Sequence, residues 1–199
     1  MVKRHSNKFK RTMVIIYPGE FHVSRTDIIA TVLGSCIAVC IKDMNTGIAG
    51  MNHFMLPGDV RSEDMFLSAS AKYGMFAMEQ LINEMIKKGG SKKHFQAKVF
   101  GGGHVLNFRK IDGNVPESNI DFVRAFLKME QIDIISEDVG GYTGRKILFF
   151  PDTAKVLLMR LKSTVDSRII EAEKIYKTKL FEEKERLLEE GGELTLFDK

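Results

Sequence analysis

The sequence predicts an α+β protein. Short runs rich in β-branched and aromatic residues recur along the chain and end at turn-forming residues, which is typical of strands. Two longer segments repeat apolar residues every three or four positions, which is typical of helices that bury one face. The chain has 199 residues, of which 44% are hydrophobic and 28% charged. It is therefore long enough for one substantial domain with a hydrophobic core.

The first part of the chain predicts strands. The run MVIIY at 13–17 precedes Pro-Gly, a turn signal. A β-branched stretch over 28–43 is interrupted by a Gly-Ser pair and ends at the turn-forming residues DMNTG. A further strand begins near residue 48 and ends at a second Pro-Gly. We therefore expect a β-hairpin over residues 37–55.

Two helices are predicted in the middle of the chain. The first spans about 66–88 and ends at a Gly-Gly pair. Its apolar positions are Ala71, Met75, Met78, Ile82 and Met85. The second covers 116–130, where Ser118 and Asp121 have the spacing of a capping box. We expect its buried side to consist of Phe122, Phe126 and Leu127.

Four more strands are predicted around and after this second helix. AKVFGGG at 97–103 predicts a strand running into a glycine turn, at which the backbone bends sharply or approaches another segment closely. IDIISEDVGG, RKILFF and KVLLMRL predict the other three, and the turn PDTA joins the last two.

Changes in amino-acid composition along the chain divide it into three parts. Residues 1–12 are dense in Lys and Arg and predict a solvated basic tail, and residues 13–165 form the globular domain. Residues 166–199 begin with oppositely charged neighbours and lack Pro, which predicts a charged helical extension with a flexible C-terminal end.

Charge and hydropathy exclude several classes of protein. The net charge of +4 is mild, and no stretch beyond the tail combines dense Lys and Arg with aromatic residues, so we expect no nucleic-acid partner. The longest apolar run is shorter than the roughly 20 residues that a membrane span needs, so we expect no direct membrane insertion. The two cysteines do not form a disulfide framework, which favours a reducing compartment and a cytoplasmic location.

Cys36 is the first candidate for chemistry, because it directly follows the Gly-Ser pair. If the hairpin turn centres near residues 44–45, Cys36 lies opposite His53, with the two Cβ atoms about 5 Å apart on one face. A slip of one residue in the register would place His53 on the opposite face. An imidazolium beside a thiol lowers the thiol pKa, and the same ring can protonate a leaving amine. Thr31 is the nearest candidate for a third group that holds the ring.

Other interpretations of these residues stay open. Cys36 and Cys40 can be core residues, since buried cysteines behave as small apolar side chains. Together with His53 they can supply three metal ligands, although Cys-x3-Cys is not a usual zinc spacing and no fourth ligand is evident. LGSC also satisfies the lipobox of a lipoprotein, but charged residues interrupt the apolar segment that a signal sequence requires upstream.

Four segments resemble the CheD family of chemoreceptor glutamine deamidases. They are TVLGSCIAVCIKD, GMNHFMLPG, KVFGGG and EDVGGYTGRKILFFPDTAKVLL, in this order, within about residues 13–162. The resemblance implies mixed β-sheets packed against helices, as in the cytotoxic necrotizing factor deamidases. It also implies a catalytic cysteine at Cys36 and a catalytic histidine at His53. The family's threonine falls on Thr31, although some members place it six residues before the cysteine, where this chain has Ala30.

The resemblance further implies that the protein converts selected glutamines of methyl-accepting chemotaxis receptors to glutamate through a cysteine thioester. No metal or organic cofactor is needed for this reaction, and the CheC phosphatase is a further expected partner. The alternative is a non-catalytic chemotaxis adaptor that binds receptors or CheC.

Overall fold

The computed structural model describes residues 1–58, 68–105, 114–161, 175, 176, 178–180 and 182. Within these residues the chain forms ten strands and two helices of more than ten residues. The elements are β1 (Val2–Ser6), β2 (Arg11–Ile15), β3 (Glu20–Ser24), β4 (Ile28–Leu33), β5 (Ile37–Asp43), β6 (Ala49–His53), α1 (Ala69–Lys87), β7 (Phe95–Gly101), α2 (Val115–Met129), β8 (Asp133–Val139), β9 (Arg145–Phe150) and β10 (Lys155–Arg160).

The strands form two mixed sheets of five strands each. The first sheet has the order β1-β2-β4-β9-β10, with β2 and β4 parallel, and the second has the order β3-β6-β5-β7-β8, with β7 and β8 parallel. Both helices contact the second sheet. The predicted α+β fold with mixed sheets and helices is confirmed.

Strand β5 shows how the layers are built. Its residues Ile37, Val39 and Ile41 belong to the apolar cluster that includes α1 and α2. The alternate residues, Ala38 and Cys40, belong to a second cluster shared with strands of the first sheet. Because successive side chains of a strand point to opposite faces, the second sheet is buried on both sides, between the first sheet and the helices.

The Gly-Ser-Cys segment is the point where the chain passes from one sheet to the other. Strand β4 lies in the first sheet and ends at Leu33, whereas β5 begins at Ile37 in the second sheet. The single β-branched stretch of the sequence thus supplies two strands in different layers. Cys36 lies at the end of this crossover, where both sheets meet.

The hairpin of β5 and β6 is confirmed, but its predicted register is wrong. Cys40 pairs with Met51 and Ile37 bridges to Phe54, so Cys36 is not directly opposite His53. The turn is closed by a hydrogen bond from the Asp43 amide to the Ile48 carbonyl, so it centres further along the chain than the predicted 44–45. Within it, the Asp43 side chain accepts hydrogen bonds from the amides of Asn45 and Thr46, both at 2.8 Å. The observed pairing of β5 with β6 differs from the predicted pairing by two residues. Because side chains alternate between faces with a period of two, each keeps its predicted face.

The helices begin and end close to their predicted positions. Ser68 caps α1 by accepting a hydrogen bond from the Ala71 amide. The predicted capping box of α2 is wrong, because α2 already begins at Val115 and Ser118 is buried in its first turn. Pro116 is well suited to that turn, since it donates no amide hydrogen where none is needed. No helix in the described part of the chain is long and apolar enough to cross a membrane.

The two ends of the chain differ from the core. Within the segment 1–12, for which we expect a basic tail, β1 pairs with β2 at an edge of the first sheet, and most of its side chains are exposed. Of the extension 166–199, residues 175, 176, 178–180 and 182 are described and are helical, and the remainder of this prediction lies outside the described residues. Leu180 is buried in the cluster between the sheets.

Candidate active site

The backbone around Cys36 is held by two glycine amides. Gly102 donates a hydrogen bond to the carbonyl of Cys36 and Gly103 donates one to the carbonyl of Gly34, each at 2.7 Å. These donors follow strand β7, which pairs with β5 along its whole length. The glycine turn therefore fixes the segment that carries the thiol.

Gly101 shows the close backbone approach that its motif predicts. A Cβ atom on this residue would lie 2.1 Å from the carbonyl oxygen of Cys36, and φ is +120°, a region that side chains rarely permit. Glycine at this position allows β7 to reach the Cys36 segment. The prediction for the FGGG motif is thus confirmed.

His53 lies at the end of β6, on the same face as Cys36. It is opposite Ala38 in the hairpin register, so Cys36 and Cys40 are its two diagonal neighbours on this face, at about 7 Å between backbones. A histidine side chain spans much of such a distance. The two side chains that the sequence paired therefore share one face of the second sheet, although they are not directly opposed.

Thr31 of β4 reaches His53 from the first sheet. Its Oγ1 lies 2.7 Å from Nδ1 of His53 and 2.8 Å from the carbonyl oxygen of Ile16. The neighbouring Ala30 has no polar side-chain atom with which to make this contact. Thr31 is therefore the residue that holds the imidazole ring.

These two contacts determine which ring nitrogen carries the proton. The hydroxyl of Thr31 has one hydrogen, and the Ile16 carbonyl can only accept it. The hydroxyl oxygen must then accept the hydrogen bond from Nδ1–H of His53, which leaves the lone pair on Nε2. Nε2 is buried and has no hydrogen-bond partner within the described residues. In this tautomer His53 is a proton acceptor at Nε2.

Burial determines the charge of His53. Removal from water lowers its pKa to about 3, and a hydrogen-bonding contact with the Ile16 backbone offsets this only in part. The ring is therefore neutral near neutral pH. The sequence suggested an imidazolium that stabilises a thiolate, whereas this environment favours a neutral imidazole acting as a base.

This low pKa predicts acid sensitivity of the fold. Between the ordinary histidine pKa of about 6.5 and the native value, the unfolded chain binds a proton that the native protein does not, so the free energy of unfolding falls as pH falls through this window. Replacing His53 with glutamine is expected to flatten this dependence. Urea unfolding of both proteins at several pH values measures it, and parallel curves would contradict the burial of a neutral ring.

Cys40 has the environment of a core residue. It is buried between the sheets, and burial raises the pKa of its thiol despite the nearby Lys98. The described residues contain no cluster of three or more His, Cys, Asp or Glu side chains that could hold a metal ion. Cys36, Cys40 and His53 are accordingly not assembled as a ligand set.

The site is closed in this structure. Cys36 is 0% exposed, His53 and Thr31 are each 2% exposed, and all three lie where the two sheets meet. Tyr176 of the C-terminal segment lies against Gly19, whose amide donates to the carbonyl of His53. A substrate side chain can reach Cys36 only after neighbouring groups move.

Sequence reasoning missed several groups that build this site. They are the amides of Gly102 and Gly103, the carbonyl of Ile16 and the side chain of Asn119, which donates to the Ser35 carbonyl. The FGGG motif predicts that the backbone of the two glycines approaches another segment closely, but it does not show which segment. Nothing in the sequence distinguishes Asn119 from the other polar residues of its helix.

Comparisons with known proteins identify the family of this chain. The family described as "CheD chemotactic sensory transduction" matches residues 55–160. A protein of Herminiimonas arsenicoxydans named "Probable chemoreceptor glutamine deamidase CheD" is 45% identical over 177 residues, which cover 88% of this chain and 87% of that protein. One of Shewanella oneidensis, "Probable chemoreceptor glutamine deamidase CheD 1", is 41% identical over 194 residues, covering 97% and 91%. The chain belongs to the CheD family.

Proposed function

We propose that this protein deamidates glutamine side chains of chemotaxis receptors, with Cys36 as the nucleophile, His53 as the acid and base, and Thr31 as the group that orients His53. The supporting observation is the hydrogen bond between Thr31 and Nδ1 of His53, which leaves a basic nitrogen on the face shared with Cys36. The names of the relatives supply the substrate class.

The first half of the reaction forms a thioester. Nε2 of His53 takes the proton of the Cys36 thiol, and the sulfur attacks the carboxamide carbon of the glutamine. The carbonyl oxygen becomes an oxyanion, for which backbone amides of the Gly-Ser-Cys segment are the proposed donors. The protonated His53 then gives its proton to the leaving nitrogen, and ammonia departs.

The second half releases glutamate. A water molecule gives a proton to Nε2 of His53 and attacks the thioester carbon, and the tetrahedral intermediate then collapses. The thiolate leaves and takes back its proton, so the enzyme returns to its starting state. Each cycle converts one glutamine and one water into one glutamate and one ammonium ion, since the new carboxylic acid gives its proton to ammonia in solution.

Mass spectrometry of a receptor cytoplasmic fragment tests this proposal. Incubation with the wild-type protein is expected to produce the mass increase of glutamine-to-glutamate conversion, with release of ammonia. A fragment that binds to the protein but stays unmodified would contradict the enzyme and favour the chemotaxis adaptor. Because the fragment is cytoplasmic in the receptor, the proposal places this protein in the cytoplasm.

The family resemblance also supports CheC as a partner. The proposal is that purified CheC binds this protein directly and changes its rate of deamidation. Co-elution in size-exclusion chromatography tests the binding, and separate elution at concentrations well above those of the assay would contradict it.

Replacing Thr31 with valine is expected to lower kcat by about 10- to 1,000-fold, because the ring loses the group that selects its tautomer and orientation. Valine has nearly the same shape, so the core remains filled. The exposed Thr12, replaced in the same way, is the matched control. Equal activity of both variants in the fragment assay would remove Thr31 from the mechanism.

A further inference from the structure

Asn119 of α2 joins the two backbone segments that carry the proposed catalytic residues. Its Nδ2 donates a hydrogen bond to the carbonyl oxygen of Ser35 at 2.9 Å, and its Oδ1 accepts one from the amide of Leu56 at 2.8 Å. Ser35 directly precedes Cys36, and Leu56 follows His53 by three residues. One side-chain amide therefore links the cysteine segment to the histidine segment.

The surroundings of Asn119 are apolar. The residue is 0% exposed, and its neighbours in α2 that belong to the core are Ile120, Phe122 and Val123. A buried carboxamide is destabilising unless its donors and acceptors are paired. Here the pairing is with backbone groups of the site, so removing the side chain would leave a buried carbonyl and a buried amide without these partners.

The contact with Ser35 also determines the direction of the next amide. No peptide bond in the described residues is cis, and in a planar trans peptide the C=O and the following N–H point in opposite directions. Because the Ser35 carbonyl points at Asn119, the amide of Cys36 points away from α2. The carbonyls before and after it, those of Gly34 and Cys36, are fixed by Gly103 and Gly102. Three consecutive peptide planes are thus held, and Asn119 holds the middle one.

We propose that Asn119 is a positioning residue for the deamidation reaction, which orients the Ser35–Cys36 peptide so that the Cys36 amide faces the oxyanion formed on the attacked glutamine. This inference rests on the proposed function of Cys36. The amide of a nucleophilic residue is well placed for this role, since it lies beside the bond that forms. Asn119 does not touch the substrate and acts through this peptide.

Two variants of Asn119 distinguish a positioning role in the reaction from a contribution to the stability of the fold alone. Asn119→Asp keeps the shape and an acceptor for the Leu56 amide, and its ionised carboxylate repels the Ser35 carbonyl. Because burial favours the protonated carboxyl, which can still donate to that carbonyl, this variant is assayed at alkaline pH. Asn119→Ala removes both contacts. Asp43→Ala is the matched control, because Asp43 is equally buried and also bonds backbone amides, at the opposite end of β5.

The experiment measures kcat and KM for glutamine conversion in the receptor fragment, together with urea unfolding of each variant. Both Asn119 variants are expected to lower kcat by about 10- to 100-fold with little change in KM, because the oxyanion forms only after binding. Asp43→Ala is expected to keep kcat near that of the wild type while losing stability.

Wild-type kcat in Asn119→Asp at alkaline pH would overturn the role of Asn119. An equal loss of kcat in Asp43→Ala, at an equal loss of stability, would overturn it as well. If Asn119→Ala does not fold, the isosteric aspartate variant decides alone. A wild-type protein that converts no glutamine would instead overturn the proposed function and this inference with it, so the two failures are distinguishable.

Discussion

Replacing Cys36 with alanine is expected to reduce glutamine conversion by at least about a thousandfold, because the proposed reaction then loses the sulfur that forms the thioester. The side chain is small and buried, so the fold is expected to lose little stability. Binding of the receptor fragment is expected to persist, since the sulfur contributes to bond formation rather than to docking. The measurement is the mass change of the fragment over time.

Cys40 is the matched control for this variant. It lies four residues further along, is equally buried and faces the same space between the sheets, and burial raises the pKa of its thiol. Unlike Cys36, it lies within β5 and not beside the glycine turn, whose Gly102 amide binds the Cys36 carbonyl. Alanine at Cys40 is expected to retain conversion close to the wild-type rate and to lose about 1 kcal/mol of stability. Equal conversion by the Cys36 variant and the wild type would exclude Cys36 as the nucleophile.

Replacing Gly101 with alanine is expected to lower the free energy of unfolding by about 3 kcal/mol or more. The new Cβ would lie 2.1 Å from the Cys36 carbonyl oxygen, which is backbone and cannot rotate away. The positive φ of +120° adds strain. Because relief requires the Cys36 segment to move, conversion is expected to fall by about a hundredfold or more.

Gly89 provides the control that separates strain from collision. It also has a positive φ, +95°, but a Cβ atom on this residue would have no neighbour within 4 Å, and the residue follows α1, outside the site. Alanine there is expected to cost about 1 kcal/mol and to leave conversion unchanged. Urea unfolding and the fragment assay measure both effects. Similar losses in the two variants would show that strain, not contact with Cys36, dominates at Gly101.

Most of the fold could be predicted from local patterns. The hairpin, both helices and the strands after α2 follow from periodicity and turn residues, which act over a few positions. The register of the hairpin could not be predicted, because the turn residues DMNTG are compatible with more than one pairing of the two strands. The predicted capping box of α2 was wrong, since the helix begins at Val115 and Ser118 is buried in its first turn.

The candidate site was predictable only in part. Cys36 and His53 were found because a short hairpin joins them and each stands in a recognisable motif. The spacing left open whether Thr31 or Ala30 corresponds to the family's threonine, and in the structure the hydroxyl of Thr31 lies against the ring of His53. Asn119 was not found at all, since it comes from a helix 84 positions away from Ser35, the residue whose carbonyl it binds.

The sequence by itself indicated both helices and most of the strands, although not β1 or β3, as well as the family and the two residues most suited to thiol chemistry. These features are encoded locally, by the pattern of side chains and by short motifs. Only the tertiary structure decided the charge and tautomer of His53, because these depend on burial by both sheets and on the carbonyl of Ile16. It likewise decided how the Cys36 backbone is held, since those contacts come from chain segments far apart in sequence and meet only on folding.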